Sequence, residues 1–116
     1  MNSVLASHTE ERGESMSVNV LGHDYNVQNV ESDYQRLRFI QKQPAQKDSS
    51  ELVTVQDGTT TEAVLRVLID RLKFLHAKLP DELTRIAAEH LKSALHLLEQ
   101  RTEERKLRGI EGTNQA

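Results

Sequence analysis

Two leucine-rich segments of helical period meet at Leu79-Pro80-Asp81, and this junction limits the chain to few folds. Proline has no amide hydrogen and its ring clashes with the preceding turn, so a helix that reaches Leu79 stops there. Asp81 is a preferred N-cap, so the next helix starts at once. A connection of about two or three residues leaves no room for anything but an antiparallel helical hairpin.

The first helix is predicted from about 59 to 79. Thr59-Thr-Thr-Glu62 reads as a capping box with Thr59 as the cap and Glu62 reaching back to it. Val64, Leu68, Leu72, Leu75 and Leu79 form its expected inward stripe. The second helix is predicted from about 81 to 108 and is expected to end at Gly109 in the left-handed conformation. At about 100° per residue, Leu83, Ala87, Leu91, Ala94 and Leu98 share an arc that Arg101 and Arg105 continue, with Arg108 at its edge. Leu65, Ile69, Ile86 and Leu97 fall off these stripes and need strands or a second copy to cover them, so self-association is expected.

Ahead of the hairpin the period changes. Residues 1–17 carry no apolar period and read as a mobile tail. Val18–Tyr25 suggests one short irregular strand, Arg36–Lys42 alternates up to Pro44, and Glu51–Gln56 alternates again before Asp57-Gly58. The last two segments are expected to pair as antiparallel strands. The fold class is therefore α+β, with a small N-terminal antiparallel β segment before the hairpin. A single domain is expected over 18–116: a β-containing segment 18–58, the hairpin 59–108, and a C-terminal tail 109–116.

Composition removes several classes of function. With no Cys there are no disulfides, thiol nucleophiles or Cys-ligated metals. No run of apolar residues is long enough to span a membrane, and no membrane partner is expected. Residues 1–58 carry 5 Lys and Arg against 9 Asp and Glu, and residues 59–116 carry 10 against 9. Without a polybasic tract, binding to polymeric nucleic acid is not expected. His8, His23, His76, His90 and His96 show no ligand spacing, so no metal is expected. Nucleophile, P-loop and dinucleotide motifs are missing, which points to a non-enzymatic protein without a catalytic residue or a cofactor.

What remains is anion chemistry. Arg101, Arg105 and Arg108 prolong an apolar stripe, and three guanidiniums in place of lysines suit bidentate contacts with phosphate. The plainer reading is that cations near a helix C-terminus complement the macrodipole. Phe74 stands on a flank with Val67, Arg71 and Lys78, where an aromatic between cations can stack on a base or pack against a second protomer. Arg36 and Arg38 on the predicted strand are second-tier candidates, as is Arg71. For the strand pair, the plainer reading is exposed cations that discourage edge pairing.

The run Val67-Leu-Ile-Asp-Arg-Leu72, then Leu79-Pro80, Ala94-Leu95, Gln100-Arg-Thr102 and finally Arg105-x-x-Arg108-Gly-x-Glu-Gly-Thr113 resembles the phage anti-Thoeris signal-sponge family. That family's helical hairpin is shared with the phage anti-CBASS sponges. The resemblance covers roughly residues 36–113 and is strongest at the C-terminal end. It implies a counter-defence protein in the host bacterial cytoplasm that binds cyclic ADP-ribose isomers, and in some members cyclic oligonucleotides, without cleaving them. It further implies that Arg101 and Arg105 contact phosphate and that Phe74 stacks on a base. Thr84 stands where relatives often have Asn, and His96-Leu97 where they tend to have a Met-Trp pair. The implied assembly is a dimer or hexamer with ligand sites at protomer boundaries. A helical hairpin that serves as a protein-interaction or regulatory module is the alternative reading.

Overall fold

The computed structural model describes residues 15–48 and 50–110. Readings that fall on residues 1–14 and 111–116 lie outside the described residues. The chain is α+β: five strands, β1 (Met16–Val20), β2 (Asp24–Gln28), β3 (Tyr34–Arg38), β4 (Gln41–Pro44) and β5 (Leu52–Gln56), precede two helices, α1 (Thr61–Lys78) and α2 (Glu82–Ile110). It divides into two compact units, one of residues up to 43 with 54–59, the other of 44–53 with residues from 60 onward.

In the first unit β1, β2 and β3 form an antiparallel sheet in that order. The single irregular strand expected over 18–25 is instead a hairpin whose first strand starts at Met16, inside the expected tail. Gly22 makes the turn at φ 79°, a conformation that favours glycine, and His23 N–H donates to the Val20 carbonyl at 2.9 Å. Period-2 alternation then sorts the side chains. Met16, Val18, Tyr25 and Leu37 are half-buried on one face, and Tyr25 meets Phe39 edge to face at 6.0 Å. Ser17, Asp24, Asn26, Arg36 and Arg38 line the other. Past β3, Phe39 bridges Thr59, and Gly58 lies against this strand's backbone. A Cβ at Gly58 would approach the Arg38 carbonyl oxygen to 2.6 Å, so this close passage requires glycine.

The expected partner of 51–56 is thus only the end of the alternating run. β4 pairs with β5 in a separate two-stranded sheet, while residues 34–38 pair with β2.

In the second unit α1 and α2 pack along one another. The α1 cap is Thr60, one residue later than expected: its side chain accepts from Ala63 N–H at 3.1 Å. Glu62 does not close a capping box; its carboxylate accepts from the Thr102 hydroxyl at 3.4 Å. Asp81 caps α2 as expected, accepting from Leu83 N–H at 2.9 Å, and His76 Nδ1 accepts from Asp81 N–H at 3.1 Å across the turn. The Glu62–Thr102 bond and the Arg66–Glu99 ion pair at 2.7 Å fix an antiparallel register.

That register keeps part of the expected stripes and moves the rest. Val64, Leu72, Leu91, Ala94, Leu98 and Arg105 are half-buried as expected, and Leu65, Ile69, Ala88, Leu95 and Thr102 are withdrawn from solvent beside them. Within this set Leu65, Ile69, Leu72 and His76 on α1 and Thr84, Ala88, Leu91, Leu95, Leu98 and Thr102 on α2 alternate steps of three and four, the spacing by which two helices keep one seam in contact. Ile69 and Ala88 are the buried apolar residues among those described. Leu68, Leu75, Leu79 and Leu83, placed inward by the sequence reading, are exposed, as is Ala87. α1 carries apolar residues on more than one face, so two stripes compete, and the buried residues Ile69 and Ala88 lie on the observed one. α2 also continues through Gly109 as helix, without the left-handed cap.

Candidate functional site

The free end of α2 carries the arginines. With 29 residues against 18, α2 outlasts α1, and in the observed register the turns beyond about Glu103 have no α1 residue opposite. Arg105 is half-buried and ends the seam after Thr102; Arg101 is exposed one residue off that line, and Arg108 is exposed. Two nearby carboxylates are engaged elsewhere. Glu99 pairs with Arg66, and Glu104 accepts from Gln100 at 3.5 Å. Among the described residues neither Arg101 nor Arg105 has a carboxylate partner.

The remaining helical candidates lie at the other end. Phe74 is 56% exposed on α1, with Lys78 Nζ 5.3 Å from its ring centroid, a cation–π arrangement that keeps the ring face polarised toward charge. Arg71 is exposed on the same flank. Thr84 lies at a seam position and is half-buried. From the level of Phe74 to that of Arg101 is about 16 Å along the helix axis, and from Thr84 to Arg101 about 25 Å. One chain therefore presents these residues apart: Arg71 and Phe74 on the exposed side of α1, Thr84 in the seam near the turn, and Arg101, Arg105 and Arg108 toward the end of α2.

Arg36 and Arg38 are committed in a different way. Asp24, 5% exposed, accepts from Arg36 Nε and Nη2 at 2.8 Å each, from Arg38 Nε at 3.3 Å, and from Asn19 Nδ2 at 3.2 Å. Both arginines remain partly exposed on β3, an edge strand of this sheet, as the plain reading of exposed strand cations expects, and each is in addition paired with Asp24. Sequence reasoning missed Asp24, although polar and apolar residues alternate in both Asp24-Tyr-Asn-Val27 and Arg36-Leu-Arg-Phe39 and would have set the charges opposite one another. The Arg36 bond, then the Asn19 bond and the two nearby positive charges, hold the Asp24 carboxyl well below the usual carboxylate range against the opposing effect of burial.

A depressed carboxyl stabilises the fold above its unfolded pKa and loses that contribution as acid protonates it. The tertiary signal of Tyr25 and Phe39 is expected to weaken progressively below about pH 4, and Asp24→Asn to flatten that dependence. An unchanged acid limb in the variant contradicts this assignment, with near-ultraviolet circular dichroism as the readout.

No group of three metal-ligating side chains occurs among the described residues, and no helix there is long and apolar enough to cross a membrane. No family model matches the chain, and no curated protein matches it significantly.

Proposed function

We propose that the chain is a binding protein that sequesters cyclic nucleotide-type immune signals, cyclic ADP-ribose isomers foremost and cyclic oligonucleotides as a second class, and releases them unaltered. The observation that carries this reading is the pair Arg101 and Arg105, without carboxylate partners among the described residues, at the end of a half-apolar seam. A guanidinium placed there needs an anion or water, and two planar forks one helical turn apart suit a phosphate. The resemblance of 67–72 and 100–113 to phage signal sponges supplies the ligand class, and with it a phage counter-defence role in the host cytoplasm.

On this reading the long antiparallel hairpin is a scaffold and the ligand lies at a boundary between copies. Phe74 is too far along the hairpin to reach a ligand held by Arg101 of its own chain. An antiparallel second copy brings its Phe74 and Arg71 toward the arginine end of the first, while Thr84 stays in its own seam near the turn. Val67, Leu68, Leu75, Leu83, Ile86 and Leu97 are exposed and are available to such a dimer or to a hexamer built from it. Sequestration demands nanomolar affinity, about −12 kcal/mol. Charge-assisted hydrogen bonds of roughly 1.5–3 kcal/mol each and one stacked base at about 1–3 kcal/mol reach much of that.

The same exposed leucines favour a second reading, a hairpin module that docks on another protein. A thermal-shift panel separates the two. A sponge is stabilised by a cyclic ADP-ribose isomer by about 4 kcal/mol at a thousandfold excess over Kd, which raises the melting temperature by roughly 8 °C or more. A docking module shows no shift with any cyclic nucleotide.

A further inference from the structure

The polar face of the β1–β3 sheet holds more positive charge than its single carboxylate needs. Asn19 Nδ2 and Arg36 Nε meet Asp24 Oδ1 at 3.2 and 2.8 Å, while Arg36 Nη2 and Arg38 Nε meet Oδ2 at 2.8 and 3.3 Å. Asp24 is thereby saturated, and only 8% of its side chain reaches solvent, yet the guanidinium side chains above it stay 53% and 37% exposed. Two cations on one anion leave an excess charge of one. Arg38 engages only through Nε, so both its Nη groups are uncommitted among the described residues.

Because both arginines donate to the same oxygen, their planar groups are held side by side. Asn19 and Asn26 brace the base of the cluster by exchanging amide hydrogen bonds at 2.9 and 3.3 Å. Tyr34 follows on the same strand at the i−2 position, so its ring shares this face; it is 57% exposed. The free N–H edges of two fixed guanidiniums match the several oxygens of a phosphate better than a single-point anion. One excess charge in an N-terminal half with 5 basic and 9 acidic residues suits one phosphate and opposes a polyanion.

The geometry points to a second anion site, separate from the arginines of α2: Arg36 and Arg38 bind the phosphate of a small organic phosphomonoester, Tyr34 lies against its ring, and Asp24 is the positioning residue. Asp24 does not touch the ligand. It removes the freedom of two long side chains before binding, so that less is lost when the ligand arrives.

The test is an NMR titration of the full chain that follows the Arg Nε–Hε resonances with adenosine monophosphate, inorganic phosphate and adenosine. Both phosphates are expected to shift Arg36 and Arg38, the nucleotide about tenfold more tightly because of the stacked ring, and adenosine to shift neither. A double variant, Arg101→Ala with Arg105→Ala, is expected to keep these shifts unchanged, which separates this site from the proposed function. Asp24→Asn raises the positive charge of the face by one but is expected to weaken phosphate binding about tenfold, since the forks are released. Binding as tight as in the wild type, or tighter, overturns the positioning role. Should that variant lose the Tyr25–Phe39 ring signals, Arg38→Lys leaves the Arg36–Asp24 fork in place. It keeps the charge, and about tenfold weaker binding is expected; undiminished binding, or no Arg36 and Arg38 shift in millimolar phosphate, overturns the site.

Discussion

Replacing Arg105 by Ala is expected to weaken binding of a cyclic ADP-ribose isomer by about ten- to a hundredfold, and replacing Arg101 to do the same. On the proposed reading each change removes charge-assisted hydrogen bonds of roughly 1.5–3 kcal/mol, and the two losses are expected to compound if both side chains grip one ligand. The fold should hardly notice. Arg101 is exposed, Arg105 lies where α2 has outlasted α1, and of the basic residues Arg108 stands in the last turn of α2, so the change in stability is expected to stay within about 0.5–1 kcal/mol each. Helicity and oligomeric state therefore stay as in the wild type while affinity falls, as isothermal titration together with sedimentation will show. Undiminished binding in both variants removes the arginines from the account. A parallel loss of assembly makes their role structural.

The second large effect concerns stability. Ile69→Ala is expected to cost about 2–4 kcal/mol, the range for emptying a well-covered aliphatic site, and to lower the melting temperature by on the order of 10–20 °C. Ile69 is 8% exposed between α1 and α2, with the small Ala88 also buried in that seam. In such a thin seam, little neighbouring material is available to refill the cavity. Leu68→Ala, one residue away, is expected to cost less than about 1 kcal/mol in dilute solution, since Leu68 is 42% exposed. Its effect should grow only at concentrations where copies associate. Thermal melts of the two variants at low and high protein concentration read out both quantities. The opposite order in dilute solution would restore Leu68 to the seam.

These neighbours also mark where the sequence stops being readable. Pro80 and Asp81 announce the break between helices through local chemistry, which needs no knowledge of the rest of the chain. The choice of face is different in kind. α1 carries leucines, valines and isoleucine around most of its circumference, so periodicity alone supports the stripe Val64, Leu68, Leu72, Leu75 and Leu79 as well as one through Leu65, Ile69 and Leu72; of the first, Val64 and Leu72 are withdrawn from solvent. The outcome depends on how the faces of both helices fit together, which the period of one helix does not carry. Thr60 displaces Thr59 as the cap for a related reason. Thr59 is already engaged with the Arg38 carbonyl and Ile40 N–H, at 2.9 Å each, a tertiary pairing that no capping rule contains.

The candidate site divides along the same line. Phe74 stands out as a candidate because aromatic residues are scarce, at 3% of the chain, and Arg101 and Arg105 stand out by their helical spacing and not by rarity, since 28% of the residues are charged. Their separation along the hairpin was not, since it follows from the register that Arg66–Glu99 fixes. Asp24 escaped notice because its significance lies in its cross-strand neighbours. The turn at Gly22 that creates the register was read as part of one strand.

A signal sponge holds its cyclic nucleotide without converting it. Saturating the chain with a cyclic ADP-ribose isomer, removing free ligand, denaturing the complex by heat and weighing what is released tests this. One unaltered ligand per site is expected, retained through the removal step with nanomolar affinity. Recovery of a linear or hydrolysed product, or of no ligand at all from a folded protein, contradicts it.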